Sequence, residues 1–218
     1  MKGLLMKDFR LMKNQKTFLL IIGFIAAILL VTSENPSFVI SYVTITFSMF
    51  SVMTLSYDEY DNGTAFLFSL PVSRKKYVIE KYIFSLLIGG TAWIIITFFS
   101  AAYTYVKFPE ENIKEYLLIA AINFGILLIF TTLILPMQFK FGAEKGRIAI
   151  LGAIGVIFIS GFIGGKLLKP MGIDIDTLIA QMSKVKPAQA VIWLFGCGLI
   201  LLCVSSMISI KIMEKKEF

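Results

Sequence analysis

Gly63-Thr64-Ala65-Phe66-Leu67-Phe68-Ser69-Leu70-Pro71-Val72-Ser73-Arg74 lies at the centre of a polar break, residues 57–81, between two long apolar runs. A connection between membrane spans can be built from polar residues alone. This one carries Phe66, Leu67, Phe68 and Leu70 among small and charged neighbours. Apolar side chains on a solvent-side loop are costly to expose unless a partner covers them. The segment therefore reads as a docking element.

Outward from that break the chain is 57% hydrophobic and 16% charged, a balance suited to a membrane bundle rather than a soluble domain. A helix crosses the hydrocarbon core with about 20 apolar residues. Six such stretches are predicted, at residues 17–32, 38–56, 78–106, 116–137, 148–168 and 190–213. The fold expected is all-α and integral to the membrane. It is a single permease-sized domain, 1–218, with six spans, an interfacial helix at 1–16 and a cytoplasmic helical loop at 57–77.

Lys and Arg placement sets the orientation. Fifteen of the 21 basic residues fall on the side of the N-terminus, against eight of the 14 acids, so the whole net charge of +7 lies on one face. That face is predicted to be cytoplasmic, with both termini inside. The basic balance thus reflects topology and gives no reason to invoke nucleic acid.

Residues 1–16 are basic and amphipathic. At about 100° per residue, Met1, Leu4, Leu5, Phe9, Leu11 and Met12 share one arc, and Lys2, Lys7, Arg10 and Lys13 the opposite one. Asp8 falls inside the apolar arc and Met6 inside the basic one. A helix lying in the inner interface is expected, rather than a cleaved signal.

The second span carries Ser41, Thr44, Ser48 and Ser51 at helical spacing. These hydroxyls either pack helices or line a translocation path or subunit interface. Gly161 and Gly165 make a small-xxx-small pair in the fifth span. Gly164-Gly165-Lys166 fails as a phosphate loop, because residue 160 is Ser and Leu167 follows the Lys. Residues 169–189 read as a short amphipathic segment at the outer face. Cys197 and Cys203, six apart on one helix, point in different directions and read as small packing residues.

The chain has no histidine. That removes the helical zinc-protease motif, Ser-His and Cys-His pairs and imidazole relays; neither a catalytic nor a metal site is predicted. Charges inside the spans are scarce. Glu80 and Lys81 read as interfacial, and Asn123 is the main buried amide. With no intramembrane carboxylate evident, energy is expected to enter from a partner.

Locally, residues 58–70 read as one short helix parallel to the membrane, with Asp58, Glu59 and Asp61 in its first turns, where the dipole favours acids. Pro71 ends it, Ser73 caps the third span, and Arg74, Lys75 and Lys76 hold that start at the inner surface.

The run DNGTAFLFSLPVSRKKYVIEKY resembles the coupling segment of bacterial ABC exporter permeases of the type-2 class. The family's recurring features fall on Asp58, Glu59, Gly63, Thr64, Leu70, Pro71, Ser73, Arg74 and Lys81. PMQFKFGAEKGR at 136–147 and the tail SISIKIMEKKEF resemble its small six-span members, among them the phenol-soluble modulin exporter permeases. The resemblance implies a dimer, with itself or a related subunit, that binds two cytoplasmic ATPase subunits; ATP and Mg would sit on those, with no cofactor on this chain. It further implies that Phe66, Leu67 and Leu70 fill the ATPase groove, that Asp58 and Glu59 touch its rim, and that Lys140, Glu144, Lys145 and Arg147 form a second inner contact. The setting would be a bacterial plasma membrane and the cargo amphipathic, such as a peptide. The competing reading is a non-transporting immunity or sensor protein that binds peptide through residues 169–189.

Overall fold

The computed structural model describes residues 1–33, 37–60, 63–107, 113–168 and 187–217, and beyond Gly142 in the fourth of its long helical stretches chiefly the backbone. The described residues are helical. The elements are α1 (Lys2–Asn14), α2 (Lys16–Thr32), α3 (Ser37–Ser48), α4 (Phe50–Glu59), α5 (Gly63–Ser69), α6 (Arg74–Lys107), α7 (Ile113–Leu168) and α8 (Pro187–Lys215).

Four helices are long and apolar enough to cross a membrane: Ser37–Glu59, Arg74–Lys107, Tyr116–Gly142 and Pro187–Lys215. A fifth follows if α1 and α2 count as one span broken by 69° at Gln15. The six predicted spans thus meet four or five among the described residues. The stretch 148–168 is present as helical backbone within α7, and most of the outer segment, 169–186, lies outside the described residues.

Helix faces follow the usual logic of a bundle in lipid. Leu20, Phe24 and Val31 of α2, and Ile192, Trp193 and Ile200 of α8, point outward; hydrocarbon solvates such surface at no cost. Cys197 and Cys203 are likewise exposed free thiols, not the packed residues expected. The inward stripe of α8 is Gly198, Ser205, Ser209 and Met213. Tyr82 of α6 ties this helix down through Ser205 and Ser209, at 2.7 and 2.8 Å, and Ser205 donates a hydrogen bond to the Thr132 carbonyl of α7 at 2.6 Å. Backbones approach closely where glycine allows: a Cβ on Gly89 of α6 would lie 2.3 Å from Leu127 and 3.3 Å from Ser48.

The second span runs from α3 into α4 through Met49, whose amide still reaches the Ile45 carbonyl at 3.1 Å. Ser48 bonds back to the Ile45 carbonyl and Ser51 to that of Ser48, both at 2.8 Å. Such back-bonding satisfies these hydroxyls within their own helix.

α7 is two helices. Gly142 has φ 75° and ψ −178°, a region that only glycine visits freely. A Cβ on Gly146 would lie 3.7 Å from the Gln138 Cα. In a continuous helix, residues eight apart are about 12 Å apart. The chain therefore reverses at Gly142, and the inner stretch predicted as a loop after residue 137 is instead a helix end and a tight turn. Gly142→Ala is expected to cost about 1–3 kcal/mol, with a lower melting temperature in detergent, since the new methyl also sits 3.1 Å from a Glu59 carboxylate oxygen. Gly3→Ala, which meets nothing within 4 Å, is the control expected to leave the melting temperature unchanged.

Candidate functional site

One end of the bundle gathers pieces of six helices. Leu4, Leu55, Leu67, Tyr77, Val78, Tyr82, Leu135, Phe139 and Met213 form a single apolar cluster drawn from α1, α4, α5, α6, α7 and α8. The N-terminal helix, the 57–81 break, the Gly142 turn and the C-terminal helix end thus share one face, as the charge count predicted for the stretches it put on one side.

The break itself is built differently from the single helix expected over 58–70. α4 continues through Asp58 to Glu59, and α5 begins at Gly63. Asp58 and Glu59 therefore sit at a helix C-terminus, where the dipole opposes acids, and cations offset it. The Gly63-Thr64 pair makes the joint. A Cβ at Gly63 would lie 2.8 Å from the Asp58 carbonyl oxygen, so only glycine lets α5 start this close to α4. Thr64 Oγ1 then donates to that same carbonyl at 2.9 Å.

The helical twist of α5 splits its apolar row. Leu67 is 9% exposed and belongs to the cluster; Phe66 is 70% and Leu70 47% exposed. Phe68 packs edge-on against Tyr77, with ring centroids 5.5 Å apart. Of the three residues expected to dock, the structure buries Leu67 and exposes Phe66 and Leu70. α5 stops at Ser69, before Pro71, and Ser73 caps α6 by accepting from the Lys76 amide at 3.3 Å. Arg74 does more than hold a surface. Its guanidinium donates to the Met213 and Glu214 carbonyls at 3.1 and 2.6 Å, satisfying acceptors that a helix end leaves open, and it lies over the Phe68 ring.

Beneath this joint is a buried ionic cluster. Lys81, fully buried, pairs with Asp8 and, at 2.9 Å, with Asp58. Thr54 Oγ1 lies 3.0 Å from both the Lys81 ammonium and the Asp8 carboxylate. Lys7 pairs with Asp58 and, at 3.2 Å, with Asp8. Tyr77 donates to Asp58 at 3.0 Å. Burial pulls the Lys7 ammonium down, but the Asp58 and Asp8 carboxylates outweigh it and hold it above the ordinary lysine value. At the rim, Lys216 reaches Glu59 at 3.1 Å and the Phe139 carbonyl at 3.4 Å. Asp58, expected at an ATPase rim, is buried in this cluster. Lys81 and Glu80 are interior groups rather than interfacial ones.

Of the second inner contact, Lys140 and Lys145 are exposed on either side of Gly142, while the side chains of Glu144 and Arg147 lie outside the described residues. The second-span hydroxyls face the bundle. Ser41 bonds Asn123, Thr44 is buried, and Ser48 and Ser51 bond their own backbone. On the flank, a cleft of about 580 Å³ is lined by Phe18, Met49, Phe50, Met53, Tyr57 and Ile134 among others.

A family model described as "ABC-2 family transporter protein" matches residues 3–214. No curated protein and no solved structure matches the chain.

Proposed function

The chain belongs to the ABC-2 transporter family as the membrane permease component of an ABC transporter, and from that premise we propose that it is the export path of a complex driven by cytoplasmic ATPase subunits. The observation that carries this is the two-faced α5. Phe66 of α5 and Leu70 just past its end lie bare, while Leu67 and Thr64 key the helix into the ends of α4 and α6. A helix exposed to a partner and fixed to two spans converts the partner's movement into movement of the spans.

In the proposed assembly two copies of the permease, or this chain and a related subunit, bind two ATPase subunits. ATP and its Mg²⁺ belong to those. The chain is read as crossing a bacterial plasma membrane six times, from its apolar stretches and its resemblance, with both termini inside, from the placement of its basic residues. The cargo proposed is an amphipathic peptide. Supporting this are the resemblance to the modulin exporter permeases and the apolar cleft, whose volume lies in the range of ligand sites.

The test is transport in proteoliposomes holding the permease and its ATPase. A labelled amphipathic helical peptide is expected to accumulate only with ATP and both proteins present. Equal accumulation without the ATPase would sink the reading.

A further inference from the structure

We propose that Glu80 is a proton-binding site that links the docking of α1 to pH. Glu80 is fully buried, and neither carboxyl oxygen has a hydrogen-bond partner among the described residues. Of the other helices packed on α6, α3 contains no charged residue, and the charges that α7 and α8 bring to this end, Lys140, Lys211, Glu214 and Lys215, are exposed; the charged groups facing Glu80 are Lys7 and Asp8 of α1, Asp58 of α4 and Lys81 of its own helix. Those four groups are two cations and two anions already paired with one another. An ionised Glu80 would leave one buried negative charge with neither a counter-ion nor a donor, which is the costliest way to bury a carboxyl. The neutral acid avoids that cost.

α1 is what closes the site. Phe9 packs edge-on against Phe84, one turn along α6 from Glu80, with centroids 5.4 Å apart. Leu5 and Met12 pack on the cluster that contains Phe84, and Asp8 pairs with Lys81. Lifting α1 admits water to Glu80, which then loses its proton to solvent. The docked state therefore holds one proton more than the undocked state. Acid favours docking, and rising pH favours release. This holds whichever cargo the protein carries.

Two measurements on the full-length protein in nanodiscs test it. Infrared spectra of wild-type protein carrying ¹³C-carboxyl glutamate are expected to show a protonated carboxyl at neutral pH that is missing in Glu80→Gln. Docking is read as the distance between spin labels at Arg10→Cys and Lys75→Cys, with Cys197 and Cys203 replaced by Ala. Between the pH at which Glu80 titrates in the undocked state and the higher pH at which it titrates in the docked state, the ratio of docked to undocked α1 is expected to fall by about tenfold per pH unit in the otherwise wild-type protein and to stay constant in Glu80→Gln. The absence of the labelled acid band overturns the proposal, as does an unchanged pH response in Glu80→Gln. So does a Glu80→Gln protein that cannot fold, because glutamine matches the neutral acid in shape and lack of charge.

Discussion

Lys81→Met is expected to destabilise the protein by about 3–5 kcal/mol, the usual cost of removing one partner from a buried ion pair. Lys81 has no exposed surface and contacts the carboxylates of both Asp8 and Asp58. Without it, two buried carboxylates share the single cation Lys7. Methionine fills much of the same volume, so the loss is electrostatic rather than a cavity. The measurement is reversible unfolding in mixed micelles, followed as a double-mutant cycle. Asp8→Asn alone leaves Lys81 with Asp58 and is expected to cost less. Asp8→Asn with Lys81→Met removes one charge of each sign and is expected to recover a large part of the single-mutant loss. A Lys81→Met protein within about 0.5 kcal/mol of wild type, the range of an inert surface change, would show that the cluster contributes nothing to the fold.

The same residues show where sequence reading reaches its limit. The apolar helices were legible because hydropathy is a local property summed over about twenty residues. The gathering of α1, the 57–81 break and the end of α8 at one end of the bundle was legible from Lys and Arg placement. Ser73 as a cap and the stop before Pro71 were legible from backbone chemistry. The ionic cluster was not, although its trace was on the page: Asp8 broke the apolar arc of α1. A carboxylate inside an apolar stripe is either a flaw or half of a pair, and its partner lies 73 residues away on another helix. No local rule supplies that contact. Glu80 and Lys81, near the start of a span, looked interfacial because α6 is 34 residues long and nothing in the sequence reveals that α1 folds back over its first turns. The Gly63-Thr64 pair was noticed as a motif, but its cause, the close return of α5 onto the Asp58 carbonyl, needs three-dimensional distances.

The second large effect separates the two faces of α5. Phe66→Asp combined with Leu70→Asp is expected to weaken assembly with the ATPase by about thirtyfold or more, since an apolar anchor at an interface is worth about 2 kcal/mol or more. The fold should be almost unchanged, because both side chains are already exposed and exposed substitutions fall within about 0.5 kcal/mol. Leu67→Ala should do the reverse in origin. It removes a buried side chain that touches the six-helix cluster and is expected to cost about 2–5 kcal/mol of stability, with assembly lost only as far as the folded population is lost. Thermal unfolding of the isolated permease, read beside co-purification with the ATPase, distinguishes the two. The docking assignment fails if the doubly substituted protein keeps wild-type affinity for its partner. The packing assignment fails if Leu67→Ala melts like wild type yet no longer binds. The contrast is sharp because the residues are neighbours: one turn of a seven-residue helix carries Leu67 into the spans and Phe66 out to the surface, and the proposed coupling element needs both.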